Sequence, residues 1–252
     1  AEGQLYHLLT FTHPNEDPLG VYAELIQTGR VDGFVLSGTQ YDDPRIKYLM
    51  RQKFPFVSFG RSNPDWAFNW VDTDGQAGMR LATEYLLDIG HRRIAFLGWP
   101  KESLTGNYRL AGYTEALTNV GIVVRDDYVI HNDYARNSIE NAFGMWLDLD
   151  ADQRPTAIVA ISDYVAVAAM RASEQFGFRV GETMSIVGFD DAPFVRFLQP
   201  GLTTLRQPLA EITQRLVKHV SAMIRGEDEQ PLNYLVTPEL IIRGSTGPHQ
   251  GA

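Results

Sequence analysis

Along the 252-residue chain, short runs of consecutive apolar residues alternate with longer segments whose apolar positions recur at helical spacing. The runs are Leu5–Phe11, Gly33–Leu36, Phe56–Phe59, Ile94–Leu97, Ala157–Ile161 and Ser185–Phe189. Most are continuously apolar rather than alternating, as parallel strands covered on both faces should be. Between them the spacing predicts helices over Leu19–Gln27, Pro44–Gln52, Gly75–Ile89, Tyr108–Val120, Ser138–Leu149, Tyr164–Phe176 and Leu209–Ile224. Gly29, Gly90, Gly121, Gly177 and Gly226 stand where a left-handed residue would end a helix. Repeated strand–helix units predict an α/β protein with parallel sheet.

One wide sheet or two smaller ones would both satisfy this pattern. The breaks "GWPKES" (Gly98–Ser103), "LRQP" (Leu205–Pro208) and "GEDEQP" (Gly226–Pro231) are candidate crossings between lobes. Composition changes the picture in two ways. Lys plus Arg number 22 against 31 Asp plus Glu, a net charge of −9, and no basic cluster or stripe is visible. A surface this acidic repels phosphate backbones, so the stretch on its own is not expected to bind DNA. There is no cysteine, which excludes disulfides and Cys-type zinc sites. No apolar stretch reaches a membrane span and no signal-peptide pattern opens the chain, so the expected compartment is the cytoplasm, without membrane association.

Ligand crevices of parallel α/β sheets lie outside the carboxyl ends of the strands. Asp190 and Asp191 follow one such strand, and Asp163 follows another in "AIVAISD". Asp163 has a second reading as cap of the helix expected from Tyr164. One of Asp190 and Asp191 is expected to cap or turn while the other faces the crevice. "VDTDG" places Asp72 and Asp74 before a helix, as caps or crevice groups. Arg109, in "GNYRLAGY", offers a permanently charged planar fork of donors, or is a solvated helix residue. Trp66, Phe68, Trp70, Trp99, Tyr134, Phe194 and Phe197 supply rings near the expected mouth. Rings beside Asp, Asn and Arg suit a sugar, although most such rings serve as core.

Catalytic signatures are missing. There is no H-E-x-x-H, G-x-S-x-G, Walker loop or dinucleotide G-x-G-x-x-G, and the six His show no metal-ligand spacing. "DLDADQ" imitates an EF-hand start, but Gln153 stands where glycine is needed and Val159 where glutamate is. Neither an enzyme nor a cofactor or metal is expected.

Six segments nonetheless occur together in one order: "RVDGFVLSG", "PFVSFGR", "VDTDGQAGMRLATEYLLDIGHRRIAFLG", "RLAGYTEAL", "MSIVGFDD" and "LTTLRQPLAEI". Together they resemble the ligand-binding core of the LacI/GalR family of bacterial transcription regulators, from about Leu5 to Arg243. The resemblance implies two Rossmann-like lobes with parallel sheets joined by a three-strand hinge, the type I periplasmic-binding-protein-like fold. One lobe would hold residues 1–98 plus 207–226, the other 99–206 plus 229–247. It implies an effector site between the lobes at Asp74, Arg109, Tyr134, Asp163, Asp190, Gln207 and Leu209. Asp190 would accept from effector hydroxyls, Arg109 would donate, and Tyr134 would stack.

The same resemblance implies a repressor, acting as a homodimer, relieved by a small sugar or glycoside that shifts the lobes between open and closed. Operator DNA would be bound only through a helix-turn-helix headpiece, which with a hinge helix, a first strand and a first helix is expected ahead of Leu5. A solute-binding protein of a sugar transporter would share the fold and cleft; "GHRRIAFLG" and "LTTLRQPL" favour the regulator.

Overall fold

The computed structural model describes residues 6–12, 17–131, 138–227 and 232–249. The chain divides into two compact units, one built from residues up to Trp70 plus Leu216–Asn233, the other from Val71–Arg215 plus Tyr234 onward.

In the first unit, α1 (Gly20–Gln27), β1 (Phe34–Leu36), α2 (Pro44–Gln52) and β2 (Phe56–Phe59) follow one another. β1 and β2 pair in parallel, Phe34 opposite Phe56 and Leu36 opposite Ser58. Tyr22, Leu25, Phe34, Ile46, Leu49, Phe56 and Phe68 close the core. Asp43 starts α2 by accepting from the Arg45 backbone N–H, and its buried carboxylate also holds the Arg45 guanidinium at 2.6 Å. The predicted strand Leu5–Phe11 is not formed over its described part, residues 6–11. Those side chains are mostly exposed, Leu8 at 91%, so burial supplies no drive for a strand there. Phe11 alone turns inward, edge-on to Tyr22 and Phe34.

The second unit opens within β3 (Trp70–Thr73) and continues through α3 (Gly75–Asp88), β4 (Ile94–Gly98), α4 (Leu104–Asn119), β5 (Val129–His131) and α5 (Ser138–Leu147). It then runs through β6 (Ala157–Ala160), α6 (Asp163–Gln175), β7 (Ser185–Asp190), β8 (Thr203–Arg206) and the start of α7 (Leu209–Ile224), whose remainder from Leu216 belongs to the first unit, and resumes at Tyr234 within β9 (Asn233–Val236) and in β10 (Glu239–Ile241). A six-stranded sheet has the order β10-β8-β7-β6-β4-β5, parallel except for β10 against β8. β4, β6 and β7 are buried along their length up to Phe189, which accounts for their unbroken apolar runs. All five helix-ending glycines have positive φ.

The chain passes between units at 70/71, 215/216 and 233/234, so α3 groups with β4 instead of lying in a lobe that ends at residue 98. The cause is packing: α3 lies along α4 and reaches β6, β8 and β10. None of the described helices is long and apolar enough to cross a membrane.

Candidate functional site

At the carboxyl end of β7 the backbone turns through two successive non-glycine residues with positive φ, Asp190 at +128° and Asp191 at +52°. Such residues cost of order 1–3 kcal/mol each and persist where surrounding contacts fix them. Here those contacts separate the two acids. Asp191 turns to the rim, where its carboxylate takes Arg206 Nε at 2.8 Å and Arg243 Nη2 at 2.6 Å. Against the opposing effect of its burial, these two arginines hold its pKa below the usual range. Asp190 instead accepts from Gln207 Nε2 at 2.6 Å, and the Gln207 Oε1 accepts from Thr73 Oγ1 at 2.6 Å. Burial pushes the Asp190 carboxyl up, opposed by the Arg109 charge and the Gln207 amide.

Arg109 reaches the same place from α4. It is 5% exposed, with its guanidinium centre 3.5 Å from the Phe189 ring centroid and 5.4 Å from that of Trp99. Its Nη1 donates to the Ile161 carbonyl, while Nε is buried with no hydrogen-bond partner among the described residues. Burial lowers its pKa to about 10, opposed by the charges of Asp190, Asp72 and Asp163. No ion pair joins Arg109 to these acids among the described residues. A buried, unpartnered donor near a half-buried carboxylate is unusual, since buried polar groups as a rule find a partner.

Asp163 is fully buried beneath this edge. Its Oδ1 accepts from Thr204 Oγ1 at 2.6 Å and its Oδ2 from the Ala192 N–H at 2.7 Å, so it ties β8 and the segment after Asp191 to α6. Burial pushes its carboxyl up to about 6, and Asp190 and Asp191 add to this while its two hydrogen bonds oppose it. It does not cap its helix: Ser162 does, accepting from the Val165 N–H, because α6 begins one residue earlier than expected.

The other expected residues divide. Asp74 caps α3, its Oδ1 accepting from the Ala77 N–H at 2.9 Å. Leu209, 50% exposed, opens α7 and donates its N–H to the Gln207 carbonyl. Tyr134 lies outside the described residues. Of the rings, Phe68 is core of the first unit, stacked on Phe56, with Trp66 and Trp70 packed against that core. Trp99 is the one that touches Arg109. The apolar run hides Phe189, the main support of Arg109; the break at "LRQP" (Leu205–Pro208) hides Arg206, and Thr204 stands just ahead of it. A Thr-Thr pair before Leu-Arg reads as a short strand with a polar face, and that is the signal that could have found them.

Residues 83–246 match the family described as a periplasmic binding protein-like domain. The HTH-type transcriptional repressor CytR of Escherichia coli (strain K12) is 32% identical over 225 residues, 89% of this chain. The chain spans 65% of that relative's length. PurR of Erwinia tasmaniensis is 32% identical, over 96% of this chain and 72% of that protein. Among solved structures, a LacI-family regulatory protein from Chloroflexus aggregans superposes with a TM-score of 0.89 at 45% identity, covering 97% of this chain and 87% of that one. A complex of the transcriptional regulator CelR with cellobiose gives 0.79 at 31% identity, covering 90% and 70%. The fold is that of a periplasmic-binding-protein-like domain. Within that class, the chain belongs to the LacI family of transcriptional regulators, as its effector-binding core.

Proposed function

We propose that this core answers to a small neutral sugar or glycoside held at the carboxyl edge of the six-stranded sheet, in a homodimeric repressor that the sugar relieves. The observation that carries the reading is the buried Arg109, unpartnered at Nε and seated on Phe189, with the Asp190 charge acting on it. A sugar hydroxyl both donates and accepts, so one molecule satisfies the arginine and the carboxylate together, and its C–H face packs on a ring. With Asp191 neutralised by Arg206 and Arg243, Asp163 and Asp190 still outnumber Arg109 at this edge, and the excess negative charge disfavours phosphorylated ligands. The CelR–cellobiose complex, at 31% identity, makes cellobiose the first probe. DNA binding belongs to a headpiece outside these residues, and an acidic core is suited to signalling to it rather than to contacting phosphates itself.

The test is thermal shift with cellobiose, other neutral mono- and disaccharides, their phosphates and nucleosides. A neutral sugar should raise the melting temperature saturably, since a ligand specific to the folded state stabilises by mass action. Asp190→Asn should remove the response while shifting the unliganded melting point little. If no neutral sugar acts on the wild type, or Asp190→Asn responds in full, the reading fails.

A further inference from the structure

At the opposite edge of the same sheet, two adjacent arginines meet a third that is distant in the sequence. Arg92 and Arg93 precede β4, and Arg125 follows α4; all three line one pocket of about 230 Å³. Its floor is apolar, made by Ile94, Leu117 and the rings of Tyr113 and Tyr128. Both phenol groups turn into the protein: Tyr113 donates to the Ile94 carbonyl at 2.8 Å and Tyr128 to that of Gln153. The floor is therefore ring and methyl surface, the Tyr128 ring lying under the Arg125 guanidinium at 4.8 Å from its centroid, and the other polar groups sit at the rim.

The rim charges do not cancel. Arg125 is committed, its Nε and Nη2 on the Asp127 carboxylate at 2.9 and 2.7 Å and its Nη1 on Gln153 Oε1 at 2.5 Å. Arg92 and Arg93 are held only by carbonyls, which orient a guanidinium without neutralising it. Arg92 Nη1 donates to Leu87 and His91, and Arg93 Nε to Arg154 at 2.7 Å. Neither forms an ion pair among the described residues, and the two Nη groups of Arg93 have no hydrogen-bond partner among them. Asp152, the one acid lining the pocket, offsets a single positive charge. One cation remains in excess over an apolar floor.

We infer that this pocket binds a small aromatic monocarboxylate, its ring among Ile94, Leu117, Ile122, Val123 and Tyr113 and its carboxylate on the fork of Arg93, with Arg92 in support. An Arg–carboxylate contact of this kind is planar and bidentate. The volume lies below the roughly 300–1,000 Å³ of pockets for drug-sized ligands, so one ring is the size that fits. A single excess charge selects a monoanion over a phosphate dianion.

Isothermal titration calorimetry of the protein with benzoate tests this, against benzyl alcohol (ring without charge), acetate (charge without ring) and phenyl phosphate (dianion). Benzoate should bind saturably, and at least about tenfold more tightly than each of the other three. Arg93→Gln should weaken it by about tenfold or more, the scale of a lost charge-assisted pair. Arg92→Gln, at an exposed side chain, should weaken it severalfold and serves if Arg93→Gln melts early. Asp190→Asn should leave it unchanged, which separates this site from the sugar site. The inference is overturned if benzoate gives no saturable heat, if benzyl alcohol, acetate or phenyl phosphate equals it, if both arginine variants bind as wild type, or if Asp190→Asn abolishes binding.

Discussion

Asp190 and Asp191 are neighbours in sequence and share an unfavourable backbone region, yet they have different work. Asp191 is neutralised twice, by Arg206 and Arg243, and so is a staple between β8 and the segment after β10. Asp190 forms no ion pair among the described residues and accepts from the Gln207 amide, which leaves acceptor capacity for the proposed ligand. Asp191→Ala would leave the partly buried Arg243 without its carboxylate. Breaking a fully buried pair costs about 3–5 kcal/mol. Arg206 is 47% exposed and water replaces much of its share, so about 2 kcal/mol is expected here. Chemical denaturation should show that loss for Asp191→Ala, with sugar-induced stabilisation retained. A variant that loses the sugar response at unchanged stability would assign Asp191 to the site instead.

Among elements, the legible ones were those whose burial is uniform. β4, β6 and β7 run through the centre of the sheet, so nearly every residue is apolar and the run marks the strand. β5, β9 and β10 lie at sheet edges and are at most partly covered, while β8 is interior and buried up to Leu205 but carries two threonines, so sequences such as "TTLR" and "NYLV" hold no unbroken apolar run. Missing β8 concealed half of the site, because Thr204 is what seats Asp163. α4 begins at Leu104, four residues before the expected Tyr108, since Ser103 accepts from the Gly106 N–H and caps it there. The close packing of α3 on α4 was likewise invisible in periodicity. It depends on Gly112, where a Cβ would stand 2.0 Å from the Gln76 carbonyl oxygen and 2.9 Å from the Arg80 backbone nitrogen. Gly112→Ala must part the two helices and should cost about 3 kcal/mol or more, at the upper end of overpacking effects. Gly144→Ala in α5, where a Cβ meets open space, should instead stabilise by about 0.5–1 kcal/mol. Urea unfolding of the pair checks this; equal midpoints would refute the close contact.

For the whole molecule, the dependence of stability on pH reflects opposing titrations in the second unit. Asp191 has a lowered pKa, so its stabilisation is present above the unfolded carboxylate value and is lost as pH falls below it. Asp163 works in reverse. Its pKa rises from 3.8 to about 6 on folding, so the native state holds the proton more tightly and stability declines as pH climbs through that window. His91 opposes it. Wedged between Thr156 Oγ1 at 2.9 Å and Ser185 Oγ at 3.0 Å, it is pushed by burial from 6.5 to about 4. Its stabilisation is present above 6.5 and drains away as pH falls toward 4. The two windows overlap, so the wild-type melting temperature should be nearly flat between pH 4 and 6.5. Single variants uncover each slope. Asp163→Asn keeps an acceptor for the Ala192 N–H, and the Thr204 hydroxyl can turn to accept from the amide. It should melt several degrees higher at pH 7 and show a rise from pH 4 to 6.5, the slope of His91 no longer opposed by Asp163. His91→Gln should show the converse, a melting temperature falling from pH 4 to 6. Calorimetric scans from pH 3.5 to 8 measure both slopes. If Asp163→Asn melts lower at pH 7 and keeps the wild-type profile, the buried carboxyl is not carrying a titration between pH 4 and 6.5.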